Sequence, residues 1–279
     1  MHKRKLVGCT FVLALAISLC ACSSKAIKLD NLIESPTEMP TMEVPTIEVP
    51  SVEVPTTSVP TIEVPSEDYT TVEINIGDYI TFGTYVQDND TYNGKEAIEW
   101  IVLDVKDGKA LVISRFAIDV QKYNEIEEAT TWEKCSLRKW LNSEFINVAF
   151  SEEEKNKIPT VVVSADRNSI YHTYPGNSTE DKVFLLSMQE VNKYFVNDED
   201  KICEATGYVH DELFLHDEIH CSWWLRTQGE FEDEATVVLN NGNVYAGGIS
   251  VESVNSTAII GYGGVDIGVR PALWIEIDY

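Results

Sequence analysis

Two short segments place tryptophan beside arginine, a pair of residue types that is able to bind ligands. Their sequences are CSWWLR at 221–226 and GVRPALWI at 268–275. An indole ring stacks on a sugar ring or a cation, and a guanidinium group binds a carboxylate through paired hydrogen bonds. If both segments are strands of one sheet, the alternation of side chains brings four residues to one face. These form the candidate ligand site: Trp224, Arg226, Arg270 and Trp274.

The same side chains also have a structural interpretation, which we favour. Long arginine and tryptophan side chains pack well in a core, provided that each guanidinium has a carboxylate partner, because a buried unpaired arginine is costly. The expected partners are Glu276, Asp266 and Glu99. Solvent exposure of the tryptophan-arginine pair separates the two interpretations. If the pair is buried, the ligand site is expected in the loops around 206–221 and 243–264.

A second candidate site is the polar run HDELFLHDEIHC at 210–221. On a helix, His216 and His220 lie four residues apart on one face and Glu212 lies one turn earlier, which gives three ligands for Zn²⁺. The run is similar to the zinc-protease motif H-E-x-x-H, but Asp217 occupies the glutamate position. A polar connection with solvated histidines is the simpler interpretation. No G-x-S-x-G motif of a serine nucleophile is present, and we assign no catalytic residue. We also expect no cofactor.

The N-terminus indicates where these candidate sites act. A basic segment at 2–5 precedes an apolar run of 14 residues at 6–19. A bilayer span needs about 20 residues, so this run is typical of a signal peptide. The sequence LCAC at 19–22 resembles the bacterial lipobox, which implies cleavage after Ala21 and diacylglyceryl attachment to Cys22. The alternative is an ordinary secretory signal that is cleaved nearby. We therefore expect a signal peptide at 1–21 and a lipoprotein at the extracytoplasmic face of a bacterial membrane.

The composition restricts the partners. The chain has 46 acidic and 21 basic residues, a net charge of −25, and removal of 1–21 takes away three basic residues and leaves −28. Such a surface argues against nucleic acid as a partner, because nucleic-acid binders concentrate lysine and arginine. The expected partners are the membrane, through the lipid anchor, and a glycan or envelope protein. With Cys22 lipidated, Cys135, Cys203 and Cys221 allow at most one disulfide, and a Cys203–Cys221 bond is an option that the sequence does not require.

A proline-rich linker is predicted between the anchor and the globular part, over residues 22–70. Proline recurs at every fifth position from Pro40 to Pro65. Proline lacks the amide proton that helices and central strands need, and it favours extended backbone in the residue before it. A disordered, semi-rigid stalk is therefore expected, with a rise of about 3.1 Å per residue where it is extended.

Residues 71–279 are predicted to form one α+β globular domain with several short helices and late antiparallel strands. KDGK at 106–109 and Asn241–Gly242 are hairpin turns, and DKVFLLS at 181–187 is a buried strand. Two S-x-x-E capping boxes, at 151–154 and 187–190, each begin a helix. The segment 135–150 is an amphipathic helix whose apolar stripe is Leu137, Trp140, Leu141, Phe145 and Val148.

Several motifs of this domain resemble a family of uncharacterised domains from secreted and lipid-anchored proteins of Gram-positive anaerobes. They are FGTYVQ at 82–87, EWIVLDV at 99–105, TWEKCSLRKWLNSEFINVAF at 131–150, DKVFLLSMQEVNKYF at 181–195, WWLRT at 223–227 and GVRPALWI at 268–275. Val86 and Thr227 depart from the family pattern, which usually has proline and serine there. More distantly, the strand with two tryptophans, the hairpin and the terminal strand resemble C-type-lectin-like domains of the formylglycine-generating-enzyme type. That similarity implies a fold and not an activity.

The sequence therefore predicts a lipid-anchored protein that displays a non-catalytic binding domain on a stalk. Its ligand is an envelope component, a glycan or a protein. One alternative is a metal-dependent hydrolase that uses His216 and His220. The other is a structural envelope lipoprotein without a small-molecule ligand.

Overall fold

The computed structural model describes residues 73–90, 92–215, 218–259 and 263–277, all of which belong to one unit of the chain, Ser66–Tyr279. The predicted signal peptide, Cys22 and the proline-rich stalk lie outside the described residues, and so do His216 and Asp217. Within the described part, short helices accompany mainly antiparallel strands. The prediction of a mixed helix-and-strand domain is confirmed at this level.

The elements of the described residues are numbered in chain order. The strands are β1 Tyr79–Tyr85, β2 Glu96–Lys106, β3 Lys109–Ser114, β4 Val161–Val163, β5 Thr179–Asp181, β6 Val183–Phe184, β7 Cys203–Glu204, β8 His220–Gln228, β9 Glu234–Val238, β10 Val244–Ser250, β11 Asn255–Ile259, β12 Gly263–Gly268 and β13 Ala272–Glu276. The α-helices are α1 Ser136–Trp140, α2 Ile146–Ala149, α3 Glu152–Lys157, α4 Met188–Tyr194 and α5 Gly207–Glu212. A π-helical turn covers Leu141–Phe145 and a 3₁₀ turn covers Glu199–Lys201. None of the described helices is long and apolar enough to cross a bilayer.

Two sheets organise the described residues. The first has the strand order β1-β2-β3-β13-β6, with every neighbouring pair antiparallel. The second has the order β10-β9-β8-β12-β11, and β7 also pairs with β8. In the second sheet β8 and β12 are parallel, whereas the other pairs are antiparallel. The last described strand therefore pairs with an early hairpin, and the strands that contain Trp224 and Trp274, β8 and β13, lie in different sheets.

Both predicted hairpin turns are confirmed. Asp107 and Gly108 connect β2 to β3 with φ angles of 51° and 72°, the left-handed conformation that a tight two-residue hairpin turn requires. The turn between β9 and β10 contains Gly242 at φ 86°. A Cβ atom at Gly242 would lie 1.8 Å from the carbonyl oxygen of Asp198, so only glycine allows this close approach.

The amphipathic segment 135–150 is helical, but one of its predicted core residues is exposed. Leu137, Leu141 and Phe145 are buried as expected, whereas Val148 is 47% exposed. The cause is the π-helical turn over Leu141–Phe145, which inserts an extra residue and rotates the rest of the helix relative to the core. After this turn Ile146 and Ala149 are buried instead.

Both capping boxes are present. Ser151 and Ser187 accept hydrogen bonds from the amides of Glu154 and Glu190, and each glutamate accepts one in return from the amide of its serine. The boxes begin α3 and α4, as predicted.

The predicted single strand at 181–187 is instead two short strands, β5 and β6. The interruption lies at Lys182, where the amides of Lys182 and Val183 donate to the side-chain oxygen of Asn142 at 2.9 and 3.2 Å. Backbone donors that bind a side chain are not available to a neighbouring strand. As a result β5 pairs with β4, and β6 pairs with β13.

Candidate ligand-binding site

The tryptophan-arginine pair of β8 is inside the protein. Trp224 is fully buried, its indole N–H donates to the carbonyl oxygen of Gln121 at 3.0 Å, and its ring packs on Tyr123 at a centroid distance of 5.7 Å. Arg226 is 4% exposed. Neither residue presents a surface on which a sugar could stack, so the structural interpretation holds for these two residues.

Arg226 is saturated with partners. Its guanidinium forms ion pairs with Glu190 and, at 3.2 Å, with Asp166. It also donates to the carbonyl oxygens of Leu185 at 2.8 Å and Ser164 at 3.2 Å. These partners differ from the three carboxylates expected from the sequence. Because its charge is paired and each of its three nitrogens has a hydrogen-bond partner, Arg226 is held by the protein itself.

The partners of Arg226 connect β8 to the beginning of α4. Glu190 belongs to the capping box of that helix, and the hydroxyl of Ser187 donates to Asp166 at 2.6 Å. The two carboxylates that hold the guanidinium therefore also hold the helix start. Arg226 is a structural residue that fixes α4 against the second sheet.

The predicted cluster of four residues does not form, because its members belong to different sheets. Trp224 and Arg226 lie in the second sheet, whereas Trp274 is a half-buried residue of β13 in the first sheet. Arg270 lies two residues before β13 and contacts the ring of Trp223 at 5.0 Å, not that of Trp224. Alternation along single strands could not reveal this, since it says nothing about which strands are neighbours.

Arg270 is buried, at 1% exposure, and its guanidinium has fewer partners among the described residues than that of Arg226. Its Nε donates to the carbonyl oxygen of Ser114 at 2.8 Å and its Nη2 to that of Arg115 at 3.5 Å. The guanidinium also lies over the rings of Trp223 and Phe195. Nη1 has no hydrogen-bond partner, and no carboxylate among the described residues forms an ion pair with Arg270. Aromatic faces offset only part of the cost of burying a cation.

A cavity of about 520 Å³ adjoins Arg270. This volume lies in the range of ligand pockets, roughly 300–1,000 Å³. Its wall includes Arg115, Phe116 and the half-buried Tyr194, together with the exposed Tyr79, which shows that the cavity reaches the surface. Arg270, whose buried guanidinium has an unused donor, is therefore part of the wall of a space that is large enough for a small organic molecule.

The second cation of the cavity, Arg115, already has a partner. It forms an ion pair of 2.6 Å with Glu99 and lies over the rings of Phe116 and Tyr79 at 4.8 and 5.2 Å. The hydrogen bond to Glu99 raises the pKa of Arg115 further above its ordinary value. Burial raises the pKa of Tyr194, which therefore lines the cavity as a neutral phenol. Of the two arginines in the cavity wall, Arg270 is the one that forms no ion pair within the described residues.

Acidic residues complete the wall of the cavity. They are Glu199, Asp200 and Glu204. A ligand that reaches Arg270 must pass or approach these carboxylates, which repel additional negative charge and attract positive charge. The wall of the cavity thus contains the buried guanidinium of Arg270 together with three carboxylates.

The helical basis of the predicted zinc site is wrong. Helix α5 ends at Glu212, Phe214 has a positive φ of 53°, and His220 begins strand β8. A residue at positive φ interrupts a helix, so His220 does not share a helix face with the preceding residues. His216 lies outside the described residues. In the part of the chain that is described, no three histidine, cysteine or acidic side chains are grouped so as to hold a metal ion.

Sequence reasoning identified Arg270 but missed the other residues of this cavity. The expected loops at 206–221 and 243–264 do not form it; its wall comes mainly from 76–116 and 194–204. The available signal was Arg115, a cation between the apolar runs ALVIS and FAI, which needs a compensating partner wherever it is buried. The aromatic residues gave no local signal, because aromatic side chains in strands are common in any core.

Comparison with known proteins assigns the chain to a family. It belongs to the family described as a domain of unknown function, DUF6273, whose model matches residues 107–277. This confirms the predicted membership in a family of uncharacterised domains. The match includes Arg115, Arg226 and Arg270, whereas Tyr79 and strands β1 and β2 precede it. No curated protein and no solved structure matches the chain.

Proposed function

We propose that this chain is a lipid-anchored binding protein of the bacterial cell envelope, whose domain binds a carboxylate-bearing ligand at Arg270 and catalyses no reaction. The observation that carries the proposal is the buried guanidinium whose Nη1 donor has no partner beside a cavity of about 520 Å³. A carboxylate supplies both the missing acceptor and the missing counter-charge, and arginine binds carboxylates with two parallel hydrogen bonds.

The charges around the cavity specify the ligand further. The chain carries a net charge of −25, and three acidic residues line the cavity itself. These surroundings disfavour ligands with several negative charges and favour a single carboxylate accompanied by a positive group. The rings of Tyr79 and Phe116 provide apolar contact area. We expect a ring-containing zwitterion or monoanion, such as the carboxyl-bearing end group of an extracellular peptide or glycan.

Titration calorimetry of the full chain tests this with three small probes. Phenylalanine carries both a carboxylate and an ammonium group, phenylacetate carries only the carboxylate, and phenylacetamide is its neutral isostere. We expect binding to weaken in that order. Arg270→Gln should weaken binding of phenylalanine at least about 30-fold, since losing a buried charge-assisted contact costs about 2 kcal/mol or more.

The matched control is Arg167→Gln, which removes an exposed arginine that is not part of the cavity wall. It should bind the probes like the unmodified chain. Equal binding of phenylacetate and phenylacetamide, or normal binding by the Arg270 variant, contradicts a carboxylate site at Arg270. Absence of binding by every probe supports the alternative of a structural envelope lipoprotein.

The anchor is tested separately, by Cys22→Ala in a bacterial host. Lipoprotein attachment requires the thiol of that cysteine, so the unmodified chain should sediment with membranes and the variant should not carry the lipid. Mass spectrometry of the N-terminal peptide gives the direct measurement. An unmodified Cys22 thiol in the membrane-bound protein would contradict the anchor without affecting the ligand site.

The distant relationship to C-type-lectin-like domains is also proposed. The elements that support it are strand β8, the β9–β10 hairpin and the terminal strand β13. Superposition of this domain on C-type-lectin-like domains tests the relationship through the order and direction of these strands. Sheets connected differently from those of C-type-lectin-like domains would remove it, and the proposed ligand site would be unaffected.

A further inference from the structure

Two buried cysteines face each other across neighbouring strands. Cys203 in β7 is the register partner of Cys221 in the antiparallel strand β8. The two residues are 0% and 1% exposed, and each thiol shifts the pKa of the other. They are 18 positions apart in the sequence, so their proximity results from the pairing of β7 with β8.

We propose that Cys203 and Cys221 form a cross-strand disulfide bond in the mature protein. Directly opposite residues of an antiparallel pair have Cα atoms about 4.5–5.5 Å apart, which falls within the range of about 4.4–6.8 Å seen for disulfides. The bond therefore needs no rearrangement of the two strands. It goes beyond the proposed binding function and does not depend on it.

The oxidant is a disulfide, either of a small thiol or of a thiol oxidoreductase. The Cys203 thiolate attacks one sulfur of that disulfide, forming a mixed disulfide and releasing one thiolate. Cys221 then gives its proton to solvent, and its thiolate attacks the Cys203 sulfur and releases the second thiolate. Two protein thiols are oxidised and one external disulfide is reduced to two thiols. Because both sulfurs are buried after folding, the exchange takes place while β7 is still pairing with β8.

The two cysteines have different surroundings in the folded chain. Burial alone raises the pKa of the Cys203 thiol, but the hydrogen bond from Cys221 and the nearby Arg270 cation lower the pKa below its ordinary value. The pKa of Cys221 is raised, first by that hydrogen bond and then by burial. The two thiols of the folded chain thus differ in the direction of their pKa shifts.

Cys135 is in a different situation. Its sulfur accepts a hydrogen bond from the amide of Arg138 and donates one to the carbonyl oxygen of Trp132, both at 3.4 Å, at the start of α1. Burial raises its pKa to about 12. No other described cysteine is its strand partner. We expect Cys135 to stay a free thiol, which makes it the internal control.

The disulfide would hold one wall of the Arg270 cavity. The neighbours of Cys203, Ile202 and Glu204, line that cavity. Strand β7 is only two residues long, so it has few hydrogen bonds of its own with which to keep its position. A covalent bond to the central strand β8 fixes β7 and the adjoining wall.

Refolding of the full chain with oxidised glutathione, followed by alkylation and peptide mapping, tests the proposal. We expect a linked peptide pair containing Cys203 and Cys221, with Cys135 alkylated. Mapping by peptide separates these from Cys9, Cys20 and Cys22. Reduction should lower the Tm by about 6–12 °C, the stabilisation expected when a loop of this length is closed.

Matched serine variants complete the experiment. Cys135→Ser should keep the linked peptide and the response of Tm to reduction. The double variant Cys203→Ser/Cys221→Ser should fold and lose both. The proposal is overturned if Cys203 and Cys221 are both alkylated after oxidative refolding, or if either of them is linked to Cys135 instead.

Discussion

Arg226 and Arg270 are two arginines of one core with different sets of partners. Both are almost inaccessible to solvent. Arg226 has two carboxylates and two carbonyl oxygens, whereas Arg270 has two carbonyl oxygens, two aromatic faces and one unpartnered nitrogen. A paired buried cation joins structural elements, whereas the cation beside the cavity is where we propose that an anion binds. The set of partners, rather than the burial, distinguishes the two arginines.

The largest expected effect is that of Arg226→Met on stability. Methionine leaves Glu190 and Asp166 without their cation and two carbonyl oxygens without a donor. Removing one partner of a buried ion pair costs about 3–5 kcal/mol, and we expect the lower end, about 3 kcal/mol, because both carboxylates are partly exposed. Urea unfolding of the full chain gives the free energy of unfolding.

The control is Arg167→Met, at an exposed arginine close to this network. Substitutions at exposed positions change stability by about 0.5 kcal/mol or less. If the Arg226 and Arg167 variants were equally stable, Arg226 would not have the structural role described here.

Ser187→Ala should have a smaller effect in the same region. Loss of an N-cap costs about 1 kcal/mol, and Ser187 in addition donates to Asp166 in the Arg226 network. Ser151→Ala is the matched comparison, since Ser151 caps α3 by the same capping box but without a buried arginine. We expect Ser187→Ala to cost about 1–2 kcal/mol and Ser151→Ala about 1 kcal/mol or less. If Ser151→Ala cost more stability than Ser187→Ala in urea unfolding, the bond from Ser187 to Asp166 would add nothing to the stability that the helix cap provides.

Arg270→Met, the same substitution at the other arginine, is expected to change stability by less than about 1 kcal/mol. Two hydrogen bonds to carbonyl oxygens and the contacts with aromatic rings are lost, but so is the cost of burying an unpaired cation. A loss as large as that of Arg226→Met would show that Arg270 is structural too. Near-normal stability together with lost ligand binding would confirm the difference between the two residues.

The sequence predicted those features well in which the interacting residues are close to one another along the chain. The Asp107–Gly108 and Asn241–Gly242 turns and the capping boxes depend on residues within four positions of one another, so the pattern itself contains the interaction. The segment at 221–226, which the sequence analysis considered as a strand, lies within β8. The π-helical turn was missed because no composition signal marks one extra residue in a helix, and its consequence was the exposed Val148.

What the sequence could not predict was the pairing of distant segments. Arg270 reaches the carbonyl oxygen of Ser114, which is 156 positions away, and Arg226 reaches Asp166 and Glu190 across 60 and 36 positions. The strand alternation placed Arg270 on the face of Trp224, whereas the ring that Arg270 contacts is that of Trp223. It could not indicate which arginine would meet a carboxylate, because that depends on the order of strands in the two sheets.

A buried carboxylate provides the opposite case to Arg270. Asp119 is 3% exposed and forms no ion pair within the described residues. Its side chain accepts hydrogen bonds from the hydroxyl of Tyr85, from Gln121 at 3.0 Å and from the amide of Val120 at 2.7 Å. Burial raises the pKa of Asp119, and these hydrogen bonds offset only part of the increase. The same core thus buries an anion without a cation as well as a cation without an anion.

The last prediction concerns the pH dependence of stability at Asp119, the smallest of these effects. Because the pKa is higher in the folded than in the unfolded chain, Asp119 contributes stability at pH values below its unfolded pKa of about 3.9, and this contribution is lost as the pH rises through the folded pKa. Asp119→Asn keeps the shape and cannot ionise. The stability of the unmodified chain relative to this variant should therefore decrease from about pH 4 upward, measured by urea unfolding at each pH. Tyr85→Phe removes a hydrogen bond that lowers the pKa of Asp119, so the decrease should then extend to higher pH. Parallel pH profiles for the unmodified chain and Asp119→Asn would mean that Asp119 ionises equally easily in the folded and unfolded chain, and that its hydrogen bonds compensate its burial as completely as the carboxylates compensate Arg226.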